Sequence, residues 1–126
     1  DALNNGCSSF IGWNCALDEN GNPNVGPFSC AGLVEINSRT LEVTPSVQYH
    51  AFKHLSKIKR GAILLKSNRI ITNAKAIDCV VCKNLDGSHC AVLANHDKHT
   101  QGFQLKYREE YLRILLRPES IVTVVF

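Results

Sequence analysis

The 126-residue sequence has few aromatic residues, few prolines and no long apolar run. It contains no methionine, one tryptophan and four prolines. No apolar run approaches the roughly 18 residues that a membrane-spanning helix requires. No charged start is followed by an apolar run, so no targeting segment can be recognised. The sequence therefore argues against a transmembrane segment and does not indicate where the protein resides.

The chain also has little excess of positive over negative charge. The formal net charge is +3, and the basic residues are spread from Arg39 to Arg117. The densest basic group comprises Lys53, Lys57, Lys59 and Arg60. Their helical spacing is typical of the solvated side of one helix. Because no aromatic residues interleave with these charges, the sequence argues against nucleic-acid binding.

Cysteine is the residue type that is plentiful. The six are Cys7, Cys15, Cys30, Cys79, Cys82 and Cys90. Cys79 and Cys82 have CxxC spacing, but they lie in an apolar run that reads as a strand, where residues three apart face opposite sides. No second pair completes a zinc site. We predict buried thiols, and one disulfide stays open if the protein is in an oxidising compartment.

Two histidines lie four residues apart in a predicted helix. His50 and His54 have the spacing of paired metal ligands, but the glutamate of an HExxH motif is absent. We predict a packing or hydrogen-bonding role for His54 and a more exposed His50. The sequence therefore predicts neither a metal nor a cofactor.

The second half of the chain has the pattern of short antiparallel strands. Asp86-Gly87 stands between two apolar runs, which predicts a hairpin. The expected strands are Ile63–Leu65, Ile77–Cys82, Cys90–Leu93, Gly102–Tyr107, Tyr111–Leu116 and Ile121–Phe126. Strands at this spacing indicate a small sandwich or half-barrel.

The first half predicts one strand and one helix. The strand is expected from Ser9 to Leu17, and a loop rich in turn residues follows it to Ser29. Thr44 is a candidate helix cap, Pro45 suits the first helical position, and Gly61 is expected to end the helix. The predicted apolar stripe comprises Val47, Ala51, Phe52, Leu55 and Ile58.

The tryptophan stands where this strand meets a loop rich in Asp, Asn, Gly and Pro. An indole offers a flat apolar face to a pyranose ring, while amides and carboxylates can match the sugar hydroxyls. Trp13 therefore marks a candidate carbohydrate site. The alternative is that Trp13 belongs to the core, since large aromatic residues are highly buried on average.

The segment around Trp13 resembles the eighth barrel strand and following loop of glycoside hydrolase family 30, the family of the glucosylceramidases. The resemblance extends over essentially the whole chain. In the first segment it rests on Trp13, Asn14, Ala16, Leu17, Asp18, Gly21, Pro23 and Asn24. It continues through Cys30, Gly32–Val34, Ile36, Glu42–Thr44, Gln48, Tyr49, Ala51, Phe52, His54, Ser56 and Arg60–Ala62, then Asn84, Asp86, Gly87, Val92, Asn95, Pro118 and Ser120.

The resemblance implies a fold that is mainly β with one α-helix. Residues 62–126 would form an antiparallel C-terminal β-sandwich. Residues 1–61 would be the last strand, loop and helix of a truncated (β/α)8 barrel. A whole barrel needs at least about 200 residues, so only its last β/α unit is expected here.

The function implied for the parent enzyme is retaining hydrolysis of β-glucosidic bonds, as in glucosylceramide, in a secreted or lysosomal setting. Its two catalytic glutamates lie on earlier barrel strands, and no carboxylate of this chain matches either position. Such a reaction needs two carboxyls roughly 5 Å apart. The chain is therefore expected to contain no catalytic residue, to be inactive alone, and to require the missing N-terminal barrel as its partner.

The resemblance assigns substrate contacts to three residues. Trp13 matches a tryptophan that lines the sugar subsite, and Asn24 matches an asparagine of the adjoining loop. Phe10 falls where lysosomal glucosylceramidases have a second tryptophan, and Gly12 falls where they have an aspartate. These departures leave the glycoside open.

Two other kinds of protein fit the same residues. A stand-alone carbohydrate-binding or interaction module would use Trp13 and Asn24 as a binding patch. A non-functional gene product would fold poorly and expose apolar barrel surface.

Overall fold

The computed structural model describes residues 1–67 and 77–126. These residues form nine β-strands, one α-helix and a short 3-10 helix, Leu3–Asn5. They divide into two compact units. The first, here called the tryptophan unit, is Ser8–Lys53, and the second, here called the sandwich unit, combines Asp1–Cys7 with His54–Phe126. The prediction of a mainly β fold with one helix is confirmed.

The tryptophan unit contains a small three-stranded sheet. Its strands are β1 (Ala16–Leu17), β2 (Val34–Ile36) and β3 (Val43–Pro45). β1 pairs with β2 in parallel, and β2 pairs with β3 in the antiparallel sense. That this unit belongs to the last β/α unit of a barrel stays a prediction.

The predicted first strand is wrong in length. The structure places only Ala16–Leu17 in a ladder, and not the whole range from Ser9. Asn14 has a φ of 59°. This left-handed conformation is one that asparagine tolerates better than most residues, and it interrupts an extended chain. Trp13 therefore precedes the strand and does not end it.

The helix, α1 (Val47–Leu55), begins later and ends earlier than predicted. Thr44 and Pro45 lie in β3, and Ser46 takes the capping role because its Oγ accepts the Tyr49 N–H at 3.3 Å. The helix ends at Leu55, six residues before Gly61. Gly61 instead has a φ of 80° in the turn that follows.

Four of the five residues of the predicted apolar stripe are half-buried, but only three of these lie in α1, because Ile58 follows the end of the helix. Ala51, Phe52, Leu55 and Ile58 are half-buried, whereas Val47 is 87% exposed. Val47 is the first residue of α1, and it lies one turn before the first half-buried residue of the stripe. The apolar face of the helix therefore starts one turn later than the sequence pattern indicates.

The sandwich unit contains a four-stranded antiparallel sheet and a separate two-stranded hairpin. The strands are β4 (Ile63–Leu65), β5 (Ile77–Lys83), β6 (His89–Asn95), β7 (Gln101–Tyr107), β8 (Glu110–Leu116) and β9 (Ser120–Val125). The sheet order is β4-β5-β6-β9, and β7 pairs with β8. All six strands predicted after residue 62 are present, although part of the predicted sandwich, residues 68–76, lies outside the described residues.

Both faces of the four-stranded sheet bury apolar side chains, because alternate residues of β5 and β6 point to opposite faces. One face packs with the hairpin through the buried side chains of Ile77, Cys79, Leu93 and Leu116. The other face buries Val80, Cys82, Cys90 and Val92 beneath Leu3, Leu55, Ile58 and Ala62. Burying a large apolar side chain stabilises a fold by about 1.5–3 kcal/mol, so these two layers hold the unit together.

His54 joins this second face by a hydrogen bond. Its Nδ1 lies 2.9 Å from Oγ1 of Thr123 in β9. His50 is exposed. The predicted hydrogen-bonding role of His54 is confirmed.

Candidate functional site

Trp13 lies on the surface of the tryptophan unit. Its side chain is 76% exposed, and its neighbour Ile11 is 91% exposed. A large aromatic side chain with this exposure is not a core residue. The interpretation of Trp13 as a buried packing residue therefore does not describe this chain.

A groove of about 510 Å³ lies beside Trp13. It is called the aromatic groove below, and it is lined by Phe10, Ile11, Gly12, Trp13, Cys30, Ala31, Gln48, Ala51 and Phe52. None of these side chains carries a charge. Flat apolar rings beside the indole N–H and one carboxamide suit the apolar face of a sugar ring whose hydroxyls need hydrogen-bond partners.

One wall of the aromatic groove is a contact between two rings. The centroids of Phe10 and Phe52 are 5.5 Å apart, and the ring planes are tilted by 38°. Gly12 lies against the same ring, because a Cβ added at Gly12 would stand 3.0 Å from Cζ of Phe52. The segment that carries Trp13 is therefore packed on α1 through Phe10 and Gly12.

Asn24 is not among the residues that line the aromatic groove. Its Nδ2 donates to the carbonyl of Phe28, and its Oδ1 accepts from the thiol of Cys30 at 3.8 Å. Asn24 does not line the groove, so the structure brings Trp13 and Phe10 together but leaves Asn24 apart. In this chain the asparagine holds its own loop.

A second cavity in the same unit has a volume of about 280 Å³ and is lined by both polar and apolar residues. Asp18, Glu19 and Glu35 are among its lining residues. Oδ1 of Asp18 accepts the backbone N–H groups of Asn20 and Asn22, at 2.9 and 2.7 Å. This carboxylate therefore closes the turn of its own loop.

Glu19 is likewise committed to a structural contact. Its carboxylate accepts from both the hydroxyl and the backbone N–H of Ser38, and these hydrogen bonds lower the pKa of Glu19. A general acid at neutral pH needs a raised pKa, which is the opposite shift. Glu19 therefore does not supply this second cavity with a proton donor.

No group of three or more histidine, cysteine, aspartate or glutamate side chains could hold a metal ion within residues 1–67 and 77–126. The six cysteines, all of which lie in those ranges, form no disulfide. Cys79 belongs to one buried layer of the sheet and Cys82 to the other, as expected for residues three apart on a strand. Burial raises the pKa of the Cys82 and Cys90 thiols.

No helix in the described part of the chain is both long enough and apolar enough to cross a membrane.

Sequence reasoning missed part of the aromatic groove. Gln48 and Phe52 are four residues apart, so they lie on one face of α1, and the stripe pattern assigned Phe52 to packing alone. The sequence marks Gly12 only as a departure from the family pattern. One sequence signal could have found these three residues. Gly12, which has no side chain, stands two positions after Phe10 and so allows the helix that carries Gln48 and Phe52 to approach closely.

No protein-family model matches the chain, and no curated protein matches it. Solved structures do. The endo-β1,6-glucanase BT3312 is similar over 97% of this chain and 27% of its own, with a TM-score of 0.84 and 26% identity. SrfJ from Salmonella typhimurium is similar over 90% of this chain and 25% of its own, with a TM-score of 0.82 and 18% identity.

The chain thus spans about a quarter of the length of each of these two proteins. The likeness to SrfJ shows the fold alone. The likeness to the glucanase supports a relation to glycoside hydrolases, and a C-terminal domain like that of family 30, but no closer assignment.

Proposed function

We propose that this chain forms the C-terminal part of a retaining β-glycoside hydrolase of family 30, whose whole form hydrolyses β-glucosidic bonds as in glucosylceramide. The observation that carries the proposal is the similarity to an endo-β1,6-glucanase, because one match takes in 97% of the chain and therefore both of its units. The residues that resemble family 30 in sequence lie in the same two units.

Within this enzyme the chain contributes to substrate binding and not to bond cleavage. The exposed indole of Trp13 stacks on the apolar face of the sugar, and its N–H donates to a hydroxyl. Phe10 forms the groove wall behind it, and Asn24 shapes the adjoining loop. The catalytic pair of carboxyls, which must lie about 5 Å apart, belongs to the barrel that completes the enzyme.

A stand-alone carbohydrate-binding module is the second candidate. The observation that favours it is that the aromatic groove is lined by residues of the tryptophan unit alone. Such a module binds sugar without any barrel. The two candidates share Trp13 and differ in whether this chain binds glucosides by itself.

Two assays on the purified chain test the proposal. The first measures release of the aryl group from an aryl β-glucoside, and we expect no rate above that of a boiled control. The second follows binding of methyl β-glucoside by Trp13 emission. A weak or absent response supports the enzyme part, and tight saturable binding favours the module. Hydrolysis by the chain itself would overturn the proposal.

A substitution separates stacking on Trp13 from nonspecific binding. Because Trp13 is the sole tryptophan, its replacement removes the fluorescence signal, and binding to Trp13→Ala must be followed by ligand-observed NMR. Any response of the wild-type chain is lost in Trp13→Ala. It is retained in the matched control Tyr111→Ala, which removes a 57% exposed ring from the sandwich unit.

A further inference from the structure

The contact between Gly12 and Phe52 has a consequence for the position of Trp13. A Cβ added at Gly12 would lie 3.0 Å from Cζ and 3.2 Å from Cε2 of the Phe52 ring. Real Cβ atoms rarely come so close to another heavy atom. Phe52 therefore occupies space that any side chain at position 12 would need, and the two positions are sterically coupled.

The same ring also contacts Phe10, with centroids 5.5 Å apart. Phe52 thus touches the chain at two positions, one and three residues before Trp13. Trp13 follows directly, at a bend of the chain, and it lines the same groove as Phe10, Gly12 and Phe52. Its side chain is 76% exposed, so its own packing does not fix it in place.

Before Trp13, Phe10 and Gly12 join no β-ladder. After Trp13 the backbone is held, because the Asn14 carbonyl accepts the Leu33 N–H at 3.3 Å and the Cys15 carbonyl accepts the Val34 N–H at 3.1 Å. The contacts of the Phe52 ring with Phe10 and Gly12, here called the clamp, therefore constrain the chain on the N-terminal side of Trp13.

We propose that Phe52 is a positioning residue for Trp13: its ring, seated over Gly12 and against Phe10, holds the segment so that the indole presents its face to the sugar. This inference rests on the proposed function for its meaning, but the positioning can be measured without any sugar. It assigns no contact with substrate to Phe52.

The test uses the indole N–H resonance of Trp13, which gives a single cross-peak because the chain has one tryptophan. In Gly12→Ala the methyl group displaces the Phe52 ring, so we expect this cross-peak to shift or broaden by more than its linewidth. In Phe52→Leu the clamp is loosened, and we expect a shift and a lower fluorescence anisotropy. The double variant Gly12→Ala/Phe52→Leu removes the clash, so its cross-peak returns toward the wild-type position.

The control is Phe28→Leu, the same change at a 66% exposed ring of the tryptophan unit that does not line the groove. It leaves the cross-peak in place. If Gly12→Ala fails to fold, Phe52→Leu carries the test, since it removes volume and adds none. An unmoved cross-peak in Phe52→Leu, or a double variant further from wild type than Gly12→Ala, would overturn the proposal.

Binding separates this inference from the proposed function. If the wild-type chain binds methyl β-glucoside, we expect roughly tenfold weaker binding in Gly12→Ala and recovery in the double variant. Wild-type affinity in Gly12→Ala would contradict the positioning role while leaving the proposed function in place. Shifted cross-peaks in a chain whose Trp13→Ala variant binds glucoside unchanged would contradict the sugar site and leave the positioning role intact.

Discussion

Single buried amides hold the loops of the sandwich unit. Asn95 is 2% exposed, and its Nδ2 lies 3.0 Å from the carbonyl of His99, 3.3 Å from that of Leu116 and 2.8 Å from that of Arg117. Its Oδ1 accepts the Asp97 N–H at 3.0 Å. One side chain therefore satisfies backbone groups on both sides of the β7–β8 hairpin.

Removing this amide takes a hydrogen-bond partner from the buried Leu116 carbonyl and from three part-buried backbone groups. We expect Asn95→Ala to lower the free energy of unfolding by about 2–3 kcal/mol, since an unsatisfied buried polar group costs on the order of 1–3 kcal/mol. Chemical denaturation measures the change. The control is Asn5→Ala in the same unit, whose side chain makes one exposed hydrogen bond to the Asp1 carbonyl and whose loss costs within about 0.5 kcal/mol. Equal costs for the two variants would contradict the role given to Asn95.

The β5–β6 hairpin is the element on which the sequence and the structure agree most closely. Asn84 and Ser88 close it, with the Asn84 N–H donating to the Ser88 carbonyl at 2.8 Å. Gly87 has a φ of 86°. The Asp86-Gly87 pair was readable in the sequence because only a few residue types adopt that conformation at low cost.

Glycine is needed in this turn for its backbone and not for space. A Cβ at Gly87 would meet nothing within 4 Å. We therefore expect Gly87→Ala to destabilise the protein by about 1 kcal/mol, which is the strain of a left-handed residue, and Gly87→Asn by less. The matched control is Gly26→Ala, where φ is not positive and the added Cβ makes ordinary contact with Phe28. Thermal unfolding that ranks Gly26→Ala as the more destabilised variant would contradict this account.

The six strands after residue 62 were predictable because apolar runs between turn residues report pairing over short distances. The tryptophan unit was less readable. The sequence does not reveal the capping role of Ser46, because Thr44-Pro45 gives an equally good local signal and only pairing with β2 places those two residues in a strand. The aromatic groove combines residue 12 with residues 48–52, and no local pattern reports such a contact.

Strand pairing also affects the reactivity of the cysteine thiols. Cys82 and Cys90 are direct partners across β5 and β6, both are buried, and burial raises the pKa of each thiol. Cys15 is exposed. Because the thiolate is the reactive form, the strand pair should react far more slowly than Cys15.

Alkylation followed by peptide mass analysis tests this difference. With iodoacetamide under native conditions we expect modification of Cys15 and protection of Cys82 and Cys90. In denaturant all three react. Modification of Cys90 at the rate of Cys15 in the folded protein would show that the second buried layer of the sheet is not formed as described.

At the scale of the whole molecule, the tryptophan unit exposes several apolar side chains that a partner could cover. Ile11, Val25 and Val47 are each at least 87% exposed, and Trp13 is 76% exposed. A contiguous exposed apolar patch often marks an interaction site, and Ile11 and Trp13 share the lining of the aromatic groove. The proposed barrel would cover part of this surface and leave Trp13 at the mouth of the active site.

The most direct test of this central claim is the intact mass of the native protein that carries this sequence. We predict a mass several times 13.9 kDa, because the chain spans only about a quarter of the glucanase and of SrfJ, and because the proposed function places the catalytic carboxyls outside this chain. A native mass of 13.9 kDa would contradict the assignment to a hydrolase and would leave sugar binding through Trp13 as the function to be examined.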